Sequence, residues 1–320
     1  MKLAYEIVNE TVRIWRCYIY GKEAELPKEI EGRPVTELAP YAFSAHMDEK
    51  KLEAGLEAGT IHFWGEEEAP ALKGMDLQAL YLPETLQKIG AYAFYNCNAL
   101  EELHFYGTLR DLGAGLFTGC HHVRHLEVTL QKEKTSCLQD ILMEIPEKVQ
   151  VVFHGADEAK VLFPEFFEEG TENTPARNLS STMHGSGMSY RNCFYQKRFD
   201  FRAYDSKFYW ATVNEDFDTV LDMVQQRLRF PVDLSEEAKK TYEEWTRTHL
   251  PEAGIRIVQC KDMPGVTWLT EGFVLESAEA RMLLRSMTEE AGMRGFTEGA
   301  GYLLDVTHQH FKPRAKSFDL

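Results

Sequence analysis

The chain has 320 residues, 44% of them apolar and 12% aromatic, with a formal net charge of −16 at pH 7. This composition excludes a disordered chain. The acidic balance argues against nucleic acid or an anionic membrane surface as the main partner, because both call for clustered Lys and Arg.

The length favours two domains, and no apolar run approaches that of a membrane-crossing helix. The opening MKLAYEIVNETVRIW lacks the apolar core and small-residue cleavage site of a signal peptide. The expected location is therefore the cytoplasm. The alternative is a secreted or surface protein whose export signal has been removed. Six cysteines are scattered without a CxxC pair, as expected of buried thiols in a reducing compartment. The first predicted elements are strands at Tyr5–Val8 and Val12–Tyr20, with Asn9-Glu10 as the turn between them.

A repeat follows. Moving residues 86–105 forward by 23 superposes Leu86 on Leu109, Ile89 on Leu112, Gly90 on Gly113, Phe94 on Phe117 and Cys97 on Cys120. Leu100, Leu103 and Phe105 fall on Val123, Leu126 and Val128. A fixed period in the low twenties is the mark of stacked coils that share one core. Leu80/Leu82 precede the pattern by one period and Val149/Val151 follow it by one. VTELAPYAF at 35–43 echoes LQKIGAYAF at 86–94, two periods and five residues later. The extra residues belong to the charged stretch between them. Each LxxLxF segment reads as a short strand, and stacked coils would pair these strands into a parallel sheet. Leu80/Leu82, Leu103/Phe105, Leu126/Val128 and Val149/Val151 then point inward. Facing outward are a row of Tyr81, His104 and Glu127, a row of Glu102 and His125, and a row of Tyr106 and Thr129. SCLQDILMEI, after the last coil of this kind, reads as helix.

LPETLQKIGAYAFYNCNALEELHF, with IEGRPVTELAPYAF upstream, resembles the BspA-like leucine-rich repeats over about residues 20–130. The resemblance implies a short solenoid that binds another macromolecule through its exposed sheet face, with the opening hairpin as its cap. Many such proteins are long secreted arrays, and this chain has few repeats.

Residues 164–200 are dense in Gly, Ser, Thr, Asn and Pro, and 156–200 read as an irregular connector packed on the last coil. From 201 the spacing becomes helical. Phe201, Tyr204, Phe208 and Ala211 share one face, and Phe217, Val220, Leu221, Val224 and Leu228 another, with Asn214 or Glu215 as cap. Ser235 opens the next helix. A less periodic stretch containing Pro251, Pro264 and several glycines comes next, and two further helices follow, one stopping at Gly292. Helices of this length with short loops pack as hairpins. The expected fold class is therefore α+β: a leucine-rich-repeat solenoid at 1–155, the connector at 156–200, and an α-helical domain of ankyrin- or HEAT-like hairpins at 201–320. The combination resembles bacterial proteins with a leucine-rich half, a helical half and a Lys-Ser-Phe-Asp-Leu ending.

Two clusters carry chemistry-bearing residues. CHHVRH holds Cys120, His121, His122 and His125, the residue types of a zinc site. The repeat sends these side chains different ways, so no metal and no cofactor are expected. HGSGMSYRNC places His184, Ser186, Tyr190, Arg191 and Cys193 in one loop. It lacks the spacing of a nucleophile elbow or a phosphate loop, so a hydrolase-like site there is only an alternative. The expected function is non-enzymatic: an adaptor that binds a protein partner through Tyr81, Glu102, His104, Tyr106, His125 and Glu127. The ending HQHFKPRAKSFDL offers Phe318 and Leu320 as anchors of a docking tail.

Overall fold

The computed structural model describes residues 1–132, 134–173 and 178–311; the expected tail anchors Phe318 and Leu320 lie outside them. The chain forms two compact units, Met1–Glu215 and Asp216–Leu320.

The first unit opens on the antiparallel pair β1 (Lys2–Val8) and β2 (Thr11–Tyr18). Asn9 and Glu10 between them have φ of 48° and 63°, the two left-handed residues of a type I′ hairpin turn. Strands β3 (Glu23–Glu25), β4 (Glu29–Ile30) and β5 (Arg33–Leu38) follow. The charged stretch that breaks the repeat phase is helix α1 (Glu49–Glu57) and strand β6 (Ile61–Trp64). Asp48 caps α1 by accepting the Lys51 backbone N–H at 3.2 Å, and β6 pairs antiparallel with β1. Strands β7 (Ala79–Tyr81), β8 (Lys88–Ile89), β9 (Glu102–Tyr106), β10 (Asp111–Leu112) and β11 (His125–Thr129) come from the repeats. Helix α2 (Leu138–Glu144) and strands β12 (Val149–His154) and β13 (Ala159–Phe163) close the series.

The repeats of β7–β8 and β9–β10 each give one strand to each of two sheets. The 6-stranded sheet runs β13-β12-β11-β9-β7-β3, parallel except for the antiparallel β13. The 7-stranded sheet runs β10-β8-β5-β2-β1-β6, with β4 on β5. The coils share a core. Phe43, Phe94 and Phe117 stack with ring centroids 5.9 and 5.4 Å apart. Cys97 donates its thiol to the Phe43 carbonyl at 3.2 Å, and Cys120 donates to Phe94 at 3.0 Å. This explains a cysteine three residues after each of the last two phenylalanines: it bonds to the coil before. The repeated glycine has a steric cause. A Cβ at Gly90 would lie 2.7 Å from the Ala39 carbonyl carbon, and one at Gly113 would lie 2.6 Å from the Gly90 carbonyl carbon.

The structure corrects the repeat at its end. Leu126 pairs with Val151 and Val128 with Phe153, two residues later than a 23-residue period requires. Helix α2 replaces the usual turn here and lengthens the coil. The expected irregular connector is also ordered. Besides β13 it contains strands β14 (Phe167–Asn173) and β15 (Asn178–His184), paired antiparallel, helix α3 (Gly187–Arg191), and the small hairpin β16 (Phe194–Tyr195) and β17 (Arg198–Phe199). Gln196 and Lys197 form the turn of that hairpin at φ 48° and 62°, without the Asn-Gly signal that marks such turns.

Helices α4 (Phe201–Asp205) and α5 (Phe208–Asn214) belong to the first unit. The unit boundary therefore falls after Glu215 and not at the expected 200/201. Aromatic packing explains the shift. Phe199 lies 5.2 Å from Phe153, 4.8 Å from Phe201 and 5.7 Å from Tyr204, and the Tyr204 hydroxyl donates to the Leu162 carbonyl at 2.6 Å.

The second unit consists of α6 (Phe217–Arg229), α7 (Glu236–Thr248), α8 (Leu250–Gln259), α9 (Met263–Leu269), a π-helical turn at Thr270–Val274, α10 (Ala280–Met293) and α11 (Thr297–His310). Asp216 caps α6, not Asn214 or Glu215, accepting the Thr219 N–H at 2.8 Å. Ser235 caps α7 as expected. The stretch expected to be less periodic holds α8 and α9, with Pro251 and Pro264 in their first turns, where proline's missing N–H would have no helical partner. α10 runs through Gly292, and the left-handed residue after it is Gly295, at φ 63°. Leu221, Ile257, Val258, Leu269, Leu284, Met287 and Leu303 form this unit's own core. The fold class is α+β, with repeat strands in the N-terminal region and helices at the C-terminus.

Candidate functional site

Along β9 and β11 the burial alternates, with Leu103, Phe105, Leu126 and Val128 inside and the residues between them half-buried. The register sets Glu102 opposite His125, His104 opposite Glu127, and Tyr106 opposite Thr129, and Tyr81 of β7 lies beside His104. All six residues expected on the outward face are there, in the three rows expected. They lean on one another and so are half-buried. The Tyr81 and His104 rings stack with centroids 4.2 Å apart. His104 lies 2.5 Å from Glu102 and 3.1 Å from Glu127. His125 lies 2.9 Å from Glu127. Next along the sheet, His154 of β12 reaches the same Glu127 at 2.7 Å.

The face opens at one end into a cleft of about 470 Å³. Tyr81, His104, Tyr106 and Glu127 form its floor, and the chain after β3 (Leu26, Pro27, Lys28) and after β7 (Pro83, Glu84) forms a wall. Its field is acidic. Burial raises the Tyr81 hydroxyl above its ordinary pKa, and the carboxylates of Glu102, Glu23, Glu127 and Glu25 push it further up. Partial burial pushes the Glu127 carboxyl up. Hydrogen bonds from His125 and His154 and the charge of His104 outweigh it and hold the group below the usual carboxylate value.

Sequence reading missed His154. Counting on by 23 from Thr129 lands on Val152, whereas the lengthened last coil sets Thr129 against His154. The wall was missed as well, because Leu26–Lys28 comes from a coil far away in sequence.

The other two clusters do not converge. Cys120 is committed to the Phe94 carbonyl, His121 to Glu147 and His122 to Asn98; of the CHHVRH set only His125 joins the face. In the 184–193 loop, His184 stacks on Phe167 and lies 3.0 Å from Glu169. Ser186 donates to Glu215 at 2.6 Å. Arg191 is fully buried and donates to the carbonyls of Leu142, Ile145, Pro164 and Glu147. Cys193 is buried, and burial pushes its thiol up to about 12, away from nucleophilic use. Each residue serves a different partner. Among the described residues no helix is long and apolar enough to cross a membrane.

The family model described as BspA type Leucine rich repeat region matches residues 68–146, in 6 copies. A search of curated proteins gives no match. Among solved structures, a leucine rich cell surface protein from Faecalibacterium prausnitzii A2-165 is 16% identical over 41% of this chain, with a TM-score of 0.21. The match spans 29% of that protein. A leucine rich repeat protein from T. pallidum is 19% identical, with 39% of this chain and 68% of that one covered and a TM-score of 0.21.

Proposed function

We propose that this chain, whose residues 68–146 are a BspA type leucine-rich repeat region, is a non-enzymatic adaptor. Its repeats form a short solenoid, and Tyr81, Glu102, His104, Tyr106, His125 and Glu127 contact a protein partner. The observation that carries this reading is the sheet face itself. Three rows of aromatic, imidazole and carboxylate side chains stand on a parallel ladder and open into a cleft. Large side chains pre-positioned on rigid backbone lose little entropy on binding. The chain's charge of −16 and the acidic floor favour a partner segment rich in Lys or Arg, and disfavour nucleic acid and anionic membrane. The second unit, read as ankyrin- or HEAT-like helical hairpins, supplies the second surface that an adaptor needs. Six free cysteines suit a cytoplasmic setting.

The test compares wild type with Tyr81→Ala/His104→Ala/Tyr106→Ala as bait in native lysate. The binding is then rebuilt from the purified partner. The reading predicts a partner held by wild type and lost by the triple variant at an unchanged melting temperature. A partner held equally by both places the contact elsewhere and defeats the reading.

A further inference from the structure

The outward residues of β9 and β11 alternate in chemistry as well as in direction. Glu102 and His104 are two residues apart on one strand, His125 and Glu127 on the other, and the register crosses them: glutamate opposite histidine, histidine opposite glutamate. Each carboxylate therefore has an imidazole beside it along its strand and another across the ladder. Neighbouring strands are about 4.8 Å apart and residues i and i+2 on one strand about 6.6 Å apart, so the four side-chain tips can meet. His125 Nε2 lies 2.9 Å from Glu127 Oε1 and 3.9 Å from Glu102 Oε1. One ligand atom from each of Glu102, His125 and Glu127 lies within 4.8 Å of the others.

We propose that Glu102, His125 and Glu127 bind one divalent metal ion of the zinc class, with His104 and His154 holding the two carboxylates in place. The ligand set is assembled across two strands, not within CHHVRH, and so departs from the expectation of no metal. Two carboxylates, Glu102 and Glu127, converge on the cluster, and a divalent cation balances their charge. Zinc bonds to nitrogen and oxygen of about 2.0–2.2 Å put tetrahedral ligand atoms about 3.3 Å apart. The 2.9 and 3.9 Å spacings bracket that value. An imidazole among the ligands favours zinc-like ions over Mg²⁺ and Ca²⁺, and the absence of thiolate from the set disfavours Cu(I). The outer contacts are those of a supported site: His104 bridges Glu102 at 2.5 Å and Glu127 at 3.1 Å, and His154 meets Glu127 at 2.7 Å. Glu158 lies 3.7 Å from the other nitrogen of His154. Three protein ligands leave one coordination position open. The site stands whether or not the face binds a protein.

The experiment titrates Zn²⁺ into the untagged, chelator-treated full chain by calorimetry and repeats the titration with Co²⁺ by visible absorption. The expected result is one saturable site, with affinity at least ~10–100-fold weaker in His125→Ala and in Glu102→Gln and unchanged in His121→Ala/His122→Ala. Circular dichroism checks that each variant is folded, and Glu102→Gln, which keeps its shape, carries the test if His125→Ala is not. No saturable binding below millimolar Zn²⁺ would overturn the proposal and leave a His–Glu hydrogen-bond network. So would unchanged affinity in Glu102→Gln, or binding lost only in the His121/His122 variant.

Discussion

Cys17, Cys97, Cys120, Cys137 and Cys193 are buried, and desolvation pushes each thiol up to about 12. Cys260 is exposed. Thiol reactivity follows the thiolate fraction and access. The folded chain at pH 8 should therefore react with a thiol reagent at one position, and the denatured chain at all six. Rapid labelling of two or more positions in the folded chain would contradict the packing described for the coils. At this scale the sequence was legible wherever the repeat dictates chemistry. Cys97 and Cys120 read correctly as inward, and the six outward residues read correctly from alternation alone. Tyr41 and Tyr92 did not. They occupy left-handed backbone, at φ 59° and 58°, where nothing in a tyrosine announces it. The next repeat has Gly115 at that place, at φ 64°.

Elements were legible where period and capping agree, as at the β1–β2 hairpin, the repeat strands and Ser235 before α7. They were lost where composition misleads. Ser, Thr and Asn at 178–182 suggested loop, yet the backbone pairs as β15 with β14. The stretch around Pro251 and Pro264 read as less periodic, yet both prolines sit in the first turns of helices. Arg191, weighed as part of a catalytic loop, fastens elements to one another. From α3 it donates to four carbonyls at the end of α2, in the chain that follows it and just after β13. Burial lowers its guanidinium to about 10, with Glu147 opposing the shift, so it stays charged at neutral pH. Arg191→Met leaves those carbonyls without their donor inside the protein and should cost about 3 kcal/mol of stability, read from urea denaturation. A loss under about 0.5 kcal/mol would assign it no such role.

The whole molecule is two units with separate cores. The second, Asp216–Leu320, closes its own cluster around Val258, Leu269, Leu284 and Leu303. Expressed alone from Asp216, it should give a helical circular dichroism spectrum and a single cooperative melt; a non-cooperative melt would show that it needs the first unit. The boundary was misplaced in the sequence reading because Phe201 and Tyr204 have helical spacing, while their packing partners, Phe153, Phe163 and Phe199, lie in or beside the strands before them. The outward sheet face was legible because its rows follow from a period and an alternation. Its cleft and its fifth cluster residue, His154, were not, because both depend on chain brought together only by folding. The most direct measurement is the dissociation constant of the purified partner for wild type and for Tyr81→Ala/His104→Ala/Tyr106→Ala. Two anchor residues worth about 2 kcal/mol each predict a weakening of roughly 700-fold. An unchanged constant in a folded variant would contradict the assignment of the repeat face as the binding surface.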